Sequence, residues 1–147
     1  MENIKILKIN ESAIIPKKAT KGSAGYDLFA CLDHDVQIKI GDLVDIPCGV
    51  SMELPSSNYA AFIFPRSGLG FKYGIVLSNG VGVIDSDYRG EIRVSLSRIA
   101  VGDPYLIKNG DRIAQMVIMK VENVKFGLVE SLENTIRGKN GFGSTGK

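Results

Sequence analysis

One histidine and two cysteines among 147 residues leave this chain short of the side chains on which nucleophilic and zinc enzymes depend. His34 stands between Asp33 and Asp35 and reads as a polar turn, so Ser-His-Asp and Cys-His mechanisms have little to rest on. Cys31 and Cys48 fit neither a disulfide framework nor a zinc-ligand spacing and read as small buried hydrophobes. Long apolar runs are missing too. The stretch from Ala60 to Phe64 is far too short to span a bilayer, and residues 1–10 lack the unbroken apolar core of a signal peptide. A cytoplasmic protein without membrane association is expected. Nor is there an excess of one charge. Eighteen Lys and Arg against sixteen Asp and Glu give a net charge of +2, too weak a field to predict nucleic-acid binding. Any attraction for a phosphate ligand must be local.

What is present is a globular composition, 44% hydrophobic and 23% charged, in a length suited to one domain. The dominant period is two. Ile92, Val94 and Leu96 alternate with Arg93, Ser95 and Ser97, and residues 36–40 (VQIKI) alternate likewise. Residues 43–46, 50–54, 59–64, 75–77, 105–107, 112–121 and 124–129 read as strands from their β-branched and aromatic content. Turn chemistry separates them at Ile46-Pro47-Cys48-Gly49, at Leu54-Pro55-Ser56-Ser57 and at the Asn-Gly steps 79–80 and 109–110. No helical period is sustained, and only residues 67–73 (SGLGFKY) suit a short helical turn. Many short strands with frequent turns predict an all-β fold, a distorted jelly-roll barrel or sandwich. The predicted β body covers residues 1–133. Residues 134–147 carry four glycines and little that is apolar, so they read as a flexible tail or as an arm that orders on a ligand.

That tail contains Gly141-Phe142-Gly143-Ser144-Thr145-Gly146-Lys147, which satisfies G-x-G-x-x-G and the first seven positions of a P-loop. Both motifs need a following helix whose N-terminus holds the phosphate, and none follows here. The pattern is therefore rejected as a Rossmann or P-loop fingerprint. Its backbone amides can still form an anion-binding nest, with Ser144, Thr145 and Arg137 as further donors.

Phosphoryl chemistry without histidine needs a carboxylate, cations and donors for phosphate oxygens. Five compact groups offer them: GSAGYDL (22–28), PRSGLGFKYGI (65–75), NGVGVIDSDYRGEI (79–92), GDRIAQM (110–116) and RGKNGFGSTG (137–146). Each alone admits a plain structural reading. Asp27 could be a turn former, Arg66 a surface charge, residues 85–90 a hairpin loop and Gly110-Asp111 a hairpin corner. Together and in this order they resemble the five motifs of the homotrimeric dUTPase family, over nearly the whole chain.

The resemblance implies an Mg²⁺-dependent dUTP diphosphatase. It would cut dUTP to dUMP and pyrophosphate by water attack on the α-phosphorus, limiting uracil incorporation into DNA and supplying dUMP for dTMP synthesis. Asp85 is then the general base that holds the attacking water, and Asp27 meets Mg²⁺ through its coordinated waters. Arg66, Ser67, Gly68 and Gln115 hold phosphate oxygens. Asn79 and the backbone around Val83 and Ile84 read the pyrimidine edge, Tyr88 packs beneath the deoxyribose, and Arg93 belongs to the same substrate-binding set. Arg137, Phe142, Gly143, Ser144 and Thr145 close over the substrate, with Phe142 stacked on uracil. The implied assembly is a homotrimer in which each arm completes a neighbour's site. Asn140 departs from the family's usual glycine. Asn tolerates positive φ better than most residues, so the arm is expected to fold with somewhat altered closure. A dCTP deaminase or a bifunctional deaminase–dUTPase, either of which would release ammonia from dCTP, a nucleotide-sensing or regulatory protein on the same scaffold and a structural β-sandwich module are the alternatives.

Overall fold

A computed structural model of the chain describes residues 3–141. In chain order its elements are β1 (Lys5–Lys8), β2 (Tyr26–Phe29), β3 (Val36–Ile38), β4 (Leu43–Pro47), β5 (Val50–Glu53), β6 (Tyr59–Phe64), α1 (Ser67–Tyr73), β7 (Ile75–Leu77), β8 (Gly82–Ile84), β9 (Arg93–Arg98), β10 (Tyr105–Ile107) and β11 (Arg112–Lys120). The strands pair in four antiparallel groups: a four-stranded sheet β2-β11-β6-β8, a three-stranded sheet β4-β9-β7, and the pairs β1-β5 and β10-β3. The expected all-β, jelly-roll-like architecture is what forms.

The period-two reading explains how the layers face each other. Ile92, Val94 and Leu96 are buried, whereas Arg93 is exposed and Ser95 and Ser97 are partly so. They meet Ile46 of β4 and Ile63, Ile84 and Met116 of the four-stranded sheet in one apolar cluster. Each such side chain contributes about 1.5–3 kcal/mol by leaving water. Cys31 and Cys48 lie in the same cluster as free thiols. Burial, with Glu91 adding to it, pushes the Cys48 thiol up to about 12, so it acts as a small hydrophobe.

Three strands, β1, β2 and β8, carry no strand signal in the sequence. β1 is an exposed two-stranded edge in which Lys5 bonds Glu53 at 2.8 Å. β2 and β8 carry motif residues whose glycine-rich flanks mask the strand pattern. One expectation is corrected. Residues 124–129 form no strand among the described residues, and Val124, Phe126 and Leu128 stand exposed. Their alternation has no neighbouring strand to pair with in a single chain. Ile40 is also exposed, beyond the end of β3. No helix among the described residues is long and apolar enough to cross a membrane.

The short helix needs outside support, because seven residues with two glycines, Gly68 and Gly70, are marginal alone. Leu69 anchors it in the core, and Gly74 closes it in the left-handed region at φ 63°, donating its N–H to Gly70 and Leu69. The Gly74 carbonyl accepts Ile99 N–H at 2.9 Å, and Tyr73 packs on Tyr105 with ring centroids 4.7 Å apart. A Cβ at Gly74 would collide with Ala100. Gly41 also has positive φ, 82°, but faces open space. Alanine should therefore cost about 1–2 kcal/mol at Gly41, the left-handed penalty alone. At Gly74 it should cost roughly 2–5 kcal/mol, because overpacking is added. Urea midpoints of the two variants check this, and equal losses would show that the loop at Ala100 yields freely.

Candidate active site

The first cluster is built by register. In the four-stranded sheet, Gln115 of β11 lies opposite Asp27 of β2 on one side and Phe64 of β6 on the other. Two residues beyond Phe64 comes Arg66, in extended conformation immediately before α1. Ser67 and Gly68 open that helix, where an α-helix leaves N–H groups without internal partners. Asp27, Arg66, Ser67, Gly68 and Gln115 thus line one open cavity of ≈ 250 Å³, with Gly25 at its wall. A Cβ on Gly25 would lie 3.0 Å from Gln115 Oε1, so glycine there leaves the glutamine its place. Gln115 Nε2 donates to the Pro65 carbonyl at 3.1 Å.

The charges in this cavity are knotted together. Asp27 is nearly buried, with its side chain 12% exposed. Arg66 Nε donates to Asp27 Oδ1 at 3.1 Å, and the Arg112 guanidinium donates to Oδ2 at 3.3 Å. Arg66 also donates to the Arg112 carbonyl at 3.0 Å. A carboxylate withdrawn from water this far needs such partners. Arg112 received no role from the sequence. A register shift between Arg112 and Ala114 places it opposite Phe29, and therefore on the same face as Asp27 two residues earlier. That is the usual effect of a β-bulge, which re-aims a side chain.

The second cavity, ≈ 220 Å³, is lined by Asn79, Val83, Ile84, Tyr88 and Arg93, together with Ile63, Gly82, Glu91 and Ile92. Its floor is β8, the edge strand of the four-stranded sheet, which pairs on one side only. An edge strand has backbone N–H and C=O groups free on its outer side. Tyr88 is fixed by donating its hydroxyl to the Glu91 carbonyl at 3.0 Å, and a Cβ on Gly90 would collide with its ring. Arg93 is held by Asp45 at 2.6 Å and Glu91 at 3.0 Å.

The two cavities share no residue. β8 runs antiparallel to β6, with Gly82 opposite Ile63 and Ile84 opposite Ala61. Asp85, exposed and next in line, therefore lies beside Ala60, whereas Arg66 follows the other end of β6. Six residues of extended chain separate those positions by about 20 Å. The structure thus brings together Asp27, Arg66, Ser67, Gly68 and Gln115, and separately Asn79, Val83, Ile84, Tyr88 and Arg93. It does not bring Asp85 to the first group.

Arg137 is exposed and donates to the Asn140 carbonyl at 3.3 Å. Gly138 carries the positive φ of this turn, 55°, and Asn140 does not need one. Phe142, Gly143, Ser144 and Thr145 lie outside the described residues. Among the described residues no group of three or more His, Cys, Asp or Glu could cage a metal ion.

The profile of the dUTPase family matches residues 11–146. The deoxyuridine 5'-triphosphate nucleotidohydrolase of Desulfitobacterium hafniense is 48% identical over 150 residues, covering 99% of each chain. Among solved structures, the dUTPase of Staphylococcus bacteriophage 80alpha with dUPNHPP is similar at a TM-score of 0.82. It is 25% identical and covers all of both chains. A mutant dUTPase from phage phi11 of S. aureus, described as coordinating a structural Mg(II) ion, is similar at 0.80. It is 23% identical, covering 90% of this chain and 99% of that one.

Neutralising the centre of the charge knot should be felt in stability. Asp27→Asn leaves two guanidinium groups facing an amide, and hydrogen bonds to charged groups are worth about 1.5–3 kcal/mol. A loss of that order in urea denaturation is expected, and an unchanged midpoint would mean the knot contributes nothing.

Proposed function

The chain belongs to the dUTPase family, and on that premise we infer that it is a dUTP diphosphatase, hydrolysing dUTP to dUMP and pyrophosphate. The observation that carries this reading is the sorting of the motif side chains into two cavities of complementary chemistry. One offers a guanidinium and hydrogen-bond donors suited to phosphate oxygens. The other offers an edge strand, an amide and a fixed aromatic ring suited to a deoxynucleoside.

In the proposed complex Arg66, Ser67, Gly68 and Gln115 bind phosphate oxygens. The side chain of Asn79 and the outer backbone groups of β8 at Val83 and Ile84 read the pyrimidine edge. Cytosine would set its amino donor against a donor. Tyr88 lies under the sugar and leaves no room for a 2′-hydroxyl, and Arg93 braces the same wall. Asp85 orients and polarises the water that attacks the α-phosphorus. Among the described residues, Asp27 is the only carboxylate lining the first cavity. A single carboxylate fits Mg²⁺, a hard ion that keeps several waters and takes its other ligands from phosphates. When bound, the ion would neutralise charge on the triphosphate.

Because Asp85 and the first cavity lie at opposite ends of β6, we propose that a working site draws them from different chains of a homotrimer. Phe126, Leu128 and Ile136 are fully exposed in the single chain, as expected of a segment that another subunit covers. Residues 134–147 would then act as an arm, separate from the body 1–133, that carries Arg137, Phe142, Gly143, Ser144 and Thr145 over a neighbour's site. Free nucleotides are cytoplasmic substrates, and the proposed location follows from that.

The test is pyrophosphate release from dUTP compared with dCTP, dTTP and UTP. Turnover of dUTP alone is expected, and ammonia release from dCTP would move the chain to a deaminase. Asp85→Asn should keep the fold and dUTP affinity and lose at least ~10²-fold in kcat. Near-normal kcat in that variant would remove Asp85 from the mechanism.

A further inference from the structure

The two arginines on Asp27 are placed differently, and the difference suggests a linkage between the ligands of this cavity. Arg66 lines the cavity and its side chain is 24% exposed, whereas Arg112 is half exposed and lies outside the cavity lining. Arg66 occupies Oδ1 of Asp27, and Arg112 occupies Oδ2. Arg112 touches the knot twice, with its guanidinium on Asp27 and its carbonyl on Arg66. In this arrangement Asp27 is a poor partner for a divalent cation. Its near-buried carboxylate already has two positive charges within hydrogen-bond distance, and a third cation would meet their repulsion.

We propose that Arg66 is an exchanging arginine and Arg112 a positioning residue. A polyphosphate entering the cavity draws the Arg66 guanidinium off Asp27. A phosphate group offers it more negative charge and the same fork of acceptors. Oδ1 is then free to accept hydrogen bonds from a hydrated cation, while Arg112 keeps Oδ2 fixed and so aims the carboxylate. The β-bulge before Ala114 is what puts Arg112 on this face. The consequence is that the protein takes up the cation together with the polyphosphate and holds it poorly alone. Binding of each then favours the other, as reciprocal linkage requires. This inference rests on the proposed function for its polyphosphate, but its test uses no nucleotide, so the two can fail separately.

The probe is Mn²⁺ alone, titrated into the full-length protein and followed by loss of the free-ion electron paramagnetic resonance signal. Wild type is expected to bind it feebly. The Arg66→Gln/Arg112→Gln double variant should bind it about tenfold or more tightly, since two like charges have left the neighbourhood of Asp27. Adding Asp27→Asn should abolish the gain. Should the double variant fail to fold, Arg112→Gln alone serves, with an expected gain of about threefold. Arginines whose charge does not reach the cation position at Asp27 would change the unfolding midpoint and leave Mn²⁺ affinity where it was. An unchanged affinity in the folded variants, a gain that survives Asp27→Asn, or tight Mn²⁺ binding to wild type through Asp27 would each overturn the proposal.

Discussion

The antiparallel register of β6 with its two neighbours governs the functional geometry of this chain. On one side β11 sets Gln115 against Phe64 and so gathers the residues of the first cavity at the end of β6 that leads into Arg66. On the other side β8 sets Ile84 against Ala61 and so carries Asp85 toward the strand's start. Strand geometry fixes the distance between the two groups, and no rotamer change can close about 20 Å. The proposed division of the site between chains follows from this spacing. Within one chain, Asp85 and the cavity around Arg66 do not meet.

Electrostatics add a second constraint. The chain is nearly neutral, so affinity for a highly charged substrate has to come from local arrangement. In the proposed site the cavity around Asp27 would supply it, with Arg66, Ser67, Gly68 and Gln115 along a strand end and a helix start, elements held by the core through Leu69 and the Tyr73–Tyr105 pair. The same crowding leaves Asp27 satisfied by arginines before any ligand arrives. On the proposed function, folding chemistry and binding chemistry share this one carboxylate, and the proposed exchange of Arg66 is the means by which the second use displaces the first.

What could be read from the sequence depended on whether a residue's role was local. The alternation of Ile92, Val94 and Leu96 is a local signal, and those side chains are buried as expected. The short helix over Ser67–Tyr73 and the positive-φ glycines of the Asn-Gly turns, Gly80 and Gly110, are local too. β8 was hidden because three residues rich in motif chemistry show no alternation. Residues 124–129 alternate well but have no strand beside them in the single chain. The facing of Arg112 depends on a bulge, which sequence spacing does not reveal. The motif residues themselves were legible, but their sorting into two cavities was not. Residues 66 and 85 are near in the chain, and only the register with β6 shows how far apart they lie.

The central claim is that Asp85 works on a phosphate cradle belonging to another chain. Two body variants test it directly: Asp85→Ala, which keeps the cradle, and Arg66→Gln, which keeps the base. Each alone should be nearly inactive toward dUTP. Co-refolded in equal amounts, they should recover about a quarter of wild-type pyrophosphate release, because a whole site needs an intact cradle from one chain and an intact base from another. No recovery, in a mixture shown by mass spectrometry to contain hybrid oligomers, would contradict the claim and place both residues in one chain's site.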